Sequence, residues 1–125
     1  MIGIRREGVA APAPHGLGRQ VVPDSRMLSP RLHECARTAV HDDERTVCVS
    51  WVRPASQGLH SIDVDYGRDS VRLALNLGTR PEFAGRTGYV VVRMIVEHAA
   101  VKLREPLRGR RLDVVQPATA VTRSS

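Results

Sequence analysis

Apolar and polar residues alternate along residues 60–77, HSIDVDYGRDSVRLALNL, on either side of Gly67-Arg68. A period of two marks a half-buried strand, and glycine in the first central position suits a two-residue type II′ turn. The pattern predicts a hairpin in which Ile62 faces Leu73, Val64 faces Val71 and His60 faces Leu75 on the apolar side. Asp63 then faces Arg72, and Asp65 faces Ser70, on the polar side. Turn chemistry, alternation and cross-strand charge agree on one register.

The same reading extends to both sides. Residues 33–40 and 45–53 flank the polar turn His41-Asp42-Asp43-Glu44 and predict a first hairpin, with Val47, Val49 and Trp51 inward and Cys48 and Ser50 outward. Pro54 and Gly58 end that strand, because proline cannot donate to a ladder and glycine tolerates the turn. Residues 78–88, GTRPEFAGRTG, read as the longest loop. The β-branched density of residues 89–103, YVVVRMIVEHAAVKL, favours strand over helix, and Leu112 to Val115 supplies a last short strand after the basic turn RGRR. Six or seven strands without a helix predict an all-β fold, a small antiparallel sandwich or partly open barrel over residues 32–115. Residues 1–31 hold four prolines and four glycines without apolar periodicity and read as a disordered arm, and Met27 is an alternative start. Residues 116–125 read as a flexible tail.

Composition changes the picture in two places. Aromatic residues make up only 3% of the 125 residues, so the core must be built from Val, Leu, Ile and Ala. The net charge of +6 invites a nucleic-acid reading, but residues 1–31 hold five arginines against two acids. Residues 32–115 hold 13 basic against 11 acidic groups, so the predicted domain is nearly balanced and nucleic acid is not the expected partner. Eighteen of the nineteen basic residues are arginine, which fits GC-rich codons of an actinobacterium-like source. No window resembles a membrane span or the apolar core of a secretory signal, and two cysteines make no disulfide framework. The expectation is cytoplasmic residence.

Candidate chemistry is sparse. Asp63 and Asp65 share a strand face, but on a solvated side where nothing raises a carboxyl pKa for acid catalysis. The His41 to Glu44 cluster lacks the spacing of a cation loop, and the pair His33 and Cys35 lacks an orienting third group. No metal or cofactor is expected. His60 and Tyr66 are the polar groups placed nearest a possible cavity. The densest basic rim is Lys102, Arg104, Arg108, Arg110 and Arg111, which could hold an acidic partner or serve as a charged strand edge that discourages aggregation.

From Thr46 to Asp113 the chain resembles a group of small uncharacterised actinobacterial β proteins. The resemblance rests on Val49-Ser50-Trp51-Val52, on a central strand pair rich in Val and Asp, and on Glu105-Pro106-Leu107-x-Gly109-Arg110 followed by Leu112-Asp113. It implies a compact β domain closed by a proline-led final turn, and no activity. Two functions are carried forward. The first is a non-enzymatic binding domain that engages a protein partner or its own copy through strand edges or the 102–111 rim. The second is a small β-barrel enzyme (a cyclase, isomerase or hydrolase) acting on an apolar metabolite, with His60 or Tyr66 in its lumen.

Overall fold

In a computed structural model of the chain, residues 18–85 and 93–117 are described. They form eight strands: β1 (Arg19–Gln20), β2 (Leu28–Leu32), β3 (Arg37–Val40), β4 (Thr46–Pro54), β5 (Gln57–Tyr66), β6 (Ser70–Thr79), β7 (Met94–Lys102) and β8 (Arg111–Val114). A single 3₁₀ turn, Pro81–Phe83, lies in the predicted long loop. The all-β expectation holds, as two sheets not closed into a barrel. No helix among the described residues is long and apolar enough to cross a membrane.

The first sheet has the order β1-β7-β4-β3, and in the second β6 lies between β5 and the pair β2 and β8. Both sheets are mixed rather than purely antiparallel, because β1 runs parallel to β7 and β8 runs parallel to β6. β2 pairs with the far half of β6 through Leu77 and Thr79, while β8 pairs with Ser70 to Leu73, so the two short strands share one edge.

Val47, Val49, Trp51 and Ala99 of the first sheet meet Leu59, Val71, Leu73, Leu75 and Leu77 of the second in one core, closed by Leu103 and Leu107. Interdigitation of two inner faces is what stabilises such a sandwich. Cys48 and Ser50 alternate away from this core as predicted, yet they are also buried. On their face Val52 and Val96 pair across β4 and β7 beside Met94, and all three are exposed.

The central hairpin forms, but its register differs from the predicted one by two residues. Ile62 faces Leu75, Val64 faces Leu73, Asp65 faces Arg72 and Tyr66 faces Val71. The turn lies at Arg68-Asp69, Gly67 N–H donates to Ser70 O at 2.8 Å, and Gly67 does not take a positive φ. A slip of two leaves every side chain on its own face, so alternation alone cannot choose between the registers. Contacts from outside the hairpin hold this one: Arg111 N–H donates to Asp69 O and the Arg110 guanidinium donates to Gly67 O. His60 is not opposite Leu75 but is the extra residue of a bulge between Leu59 and Ser61.

A second difference concerns the arm. Composition assigned residues 1–31 to it, but residues 18–32 contribute β1 and β2, one strand to each sheet, while residues 1–17 lie outside the described residues. Periodicity is blind to a two-residue strand and to β2, which contains Pro30 and is bulged between Leu28 and Arg31. Gly18 makes the entry to β1 possible. It sits at φ +70°, and a Cβ there would collide with the Val96 carbonyl. Gly18→Ala is expected to release β1 from β7 at a cost of about 1–3 kcal/mol, read as lost amide protection at Val21, which donates to His98 O.

Candidate functional site

The only inward-facing ion pair among the described residues lies at one end of the first sheet. Alternation along β4 carries the core face from Val47, Val49 and Trp51 to Arg53, and on β7 it places Glu97 opposite Trp51. Arg53 and Glu97 are 3% and 2% exposed. Arg53 Nε donates to Glu97 Oε1 at 2.7 Å and a terminal nitrogen donates to Oε2 at 2.8 Å, while its other end donates to the carbonyls of Pro54 and Ala55. Burial pushes the Glu97 carboxyl up, but the hydrogen bonds and charge of Arg53, with the charge of Arg19, hold it below the ordinary value.

Beside this pair opens a cleft of about 330 Å³, lined by Arg19, Gln20, Val21, Val22, Asp24, Met27, Gly58, Leu59, Arg80 and Glu97. It lies where the 21–27 connection passes from β1 to β2, so the segment assigned to the arm builds one wall. Asp24 is spent on Arg26, accepting its backbone N–H and a bidentate guanidinium, which lowers the carboxyl to about 2. Arg19 touches Glu97 only at 3.5 Å, and Arg80 commits its Nε to Glu82. None of these residues was a candidate from sequence. The available signal was Glu97 standing inside the apolar run of 89–103, in register with Trp51 and two positions from Arg53's partner Ile95.

The sequence candidates fall elsewhere. His60 Nδ1 contacts Ser61 Oγ at 2.9 Å, in a chain that continues through Asn76 to Asp63. Tyr66 lies at the other end of β5, where its hydroxyl accepts the Arg104 N–H and its ring carries the Arg104 guanidinium at 4.3 Å. The two do not converge, and the odd-numbered residues 71–77 that would line a lumen are packed core.

Most of the rim is engaged internally. Lys102 contacts Asp43, Arg111 pairs with Asp113, and Arg104 stacks on Tyr66. Arg110 is a brace: it bonds Glu105 at 2.7 Å and the carbonyls of Pro106, Leu107 and Gly67. Arg108 alone in the rim has neither an acidic partner nor an aromatic ring for its guanidinium among the described residues, although its backbone N–H donates to Glu44. Arg110→Ala is therefore expected to cost about 1.5–3 kcal/mol, whereas Arg108→Ala stays within about 0.5 kcal/mol in a urea melt. A rim proposal rests on the reverse order.

The remaining clusters are structural. Asp43 accepts the N–H groups of Arg45 and Thr46 and the Thr46 hydroxyl, which fixes the turn and outweighs burial to lower its carboxyl to about 2. His33 contacts Val52 O, whereas the Cys35 thiol donates to Arg37 O and Ser50 O and is pushed up by burial, so the two form no thiolate–imidazole pair. Among the described residues no three His, Cys, Asp or Glu side chains converge as a metal site.

No protein family, curated protein or solved structure matches this chain.

Proposed function

We propose that this chain is a non-enzymatic binding domain and that its partner is a protein strand added to the free edge of β5. The observation that carries this reading is that, among the described residues, the ten-residue strand β5 ends its sheet. The Gly67 to Ser70 bond makes 65↔72 and 63↔74 the hydrogen-bonded pairs, because such pairs alternate in an antiparallel ladder. Ile62, Val64 and Tyr66 consequently turn their N–H and C=O groups outward, the template for strand addition. At its other end the edge is closed by Asp24, which donates to Leu59 O.

Charge selects the partner. Any antiparallel self-pairing centred on residues 63–65 sets an aspartate opposite an aspartate, and like charges directly opposite are destabilising. A second copy is therefore disfavoured at this edge. A strand with Lys or Arg at alternate positions is favoured. Two free cysteines fit a reducing compartment, and the cytoplasm is the compartment we propose. Against the enzyme reading, His60, Tyr66, Asp63 and Glu97 each serve an internal partner.

The test is to pan random extended peptides on the wild-type chain and on Val64→Pro, which deletes one outward N–H and leaves the ladder to β6 intact. Enriched peptides with alternating basic residues that bind only the wild type support the proposal. Peptides that bind both forms equally, or are lost on Arg108→Ala instead, overturn it.

A further inference from the structure

We propose that the cleft between β1, the 21–27 connection and the start of β5 is a binding site for a small organic carboxylate carried on an apolar body. Its volume of about 330 Å³ sits at the lower end of ligand sites, which run from roughly 300 to 1,000 Å³. One part of its lining is apolar: Val21, Met27 and Leu59. The other part holds the side chains of Arg19 and Arg80.

The four charges that line the cleft, Arg19, Asp24, Arg80 and Glu97, together with the groups paired to them, decide the class of ligand. Each carboxylate already has a guanidinium partner: Glu97 has Arg53, Asp24 has Arg26, and Glu82, beside the cleft, has Arg80. Four guanidiniums, counting Arg19, stand against these three carboxylates and leave one positive charge. Donors are also left over. Among the described residues Arg19 makes a single 3.5 Å contact and Arg80 uses only its Nε, so each retains N–H groups for an incoming oxygen. Glu97 holds Arg19 on the wall, and the bidentate Arg53 neutralises the charge that Glu97 would otherwise turn on an anion.

A monoanion matches that single excess charge. A phosphate dianion would bring a second charge toward Glu97 and Asp24, and a neutral apolar molecule would leave the remaining N–H groups of both arginines without an acceptor. This site uses neither the outward groups of Ile62, Val64 and Tyr66 nor the rim, so it is independent of strand addition.

The probe is octanoate, titrated into the full chain and followed through backbone amide resonances and calorimetry, beside octanol and inorganic phosphate. The expected result is saturable binding, with shifts confined to Gln20, Val21, Gly58 and Leu59, and roughly tenfold weaker binding of either control. Arg19→Gln, at an exposed position, and Arg80→Gln, at a half-buried one, are each expected to weaken octanoate by about tenfold while the thermal melt stays within a few degrees. Gly58→Ala tests the cleft without touching a charge. Its Cβ would lie 2.8 Å from the Met27 methyl, pushing that flexible side chain into the space the ligand needs. Arg108→Gln should leave binding unchanged. Octanol as tight as octanoate, phosphate tighter than octanoate, shifts elsewhere, or binding indifferent to both arginine changes each overturn the proposal.

Discussion

Glu97→Ala is expected to lower stability by about 3–5 kcal/mol and the melting temperature by more than about ten degrees. The variant leaves the Arg53 guanidinium, 3% exposed, without its counter-charge. The cost is mainly that of a buried unpaired charge rather than the net worth of the pair. The double variant Arg53→Met with Glu97→Leu should accordingly recover most of the loss, since an apolar pair of similar volume avoids the desolvation of both ions. Urea melts of the two forms decide it, and a loss under about 1 kcal/mol in the single variant would show that water reaches Arg53. The pH dependence follows from the same group. The folded-state carboxyl of Glu97 lies below its ordinary value of 4.5, so its contribution is complete above that pH and is lost as pH falls through the folded value. Asp43, lowered from 3.8 to about 2, extends the loss further into acid. Stability is expected to be flat above about pH 5 and to decline below it, less steeply in Glu97→Ala.

The second large effect is at Trp51, the single tryptophan and fully buried at the centre of β4. Trp51→Ala removes the largest side chain of the core and is expected to cost about 3–5 kcal/mol. Trp51→Phe should cost far less than its lost volume suggests. The indole N–H meets no acceptor among the described residues, and an unpaired buried donor costs about 1–3 kcal/mol that phenylalanine removes. Urea melts followed by circular dichroism compare the three proteins. A phenylalanine variant as weak as the alanine one would show that the indole has an acceptor after all.

The inward face of β4 was legible because Val47, Val49 and Trp51 alternate with smaller or polar residues, and a one-residue slip would expose all three. The hairpin's faces were legible for the same reason, but its register was not. Registers two apart share one pattern, and the choice fell to Arg110 and Arg111 binding the turn from some forty residues away in sequence. The arm was misread over residues 18–31 because a two-residue strand and a bulged strand holding a proline have no period to detect. The candidate site shared that fate. Its cleft joins Arg19, Asp24, Gly58, Arg80 and Glu97, residues that no spacing rule connects.

Local alternation by itself determined that this protein is a two-faced β structure and that Val47, Val49 and Trp51 of β4 and Val71, Leu73 and Leu75 of β6 turn inward, because burial acts on each strand separately and needs only the period. Tertiary structure decided which strands are neighbours, that Arg53 and Glu97 meet, and that among the described residues β5 lies at the end of its sheet. Those outcomes depend on pairing and ion contacts between segments far apart in the chain, where the free-energy differences lie in geometry that no local pattern encodes.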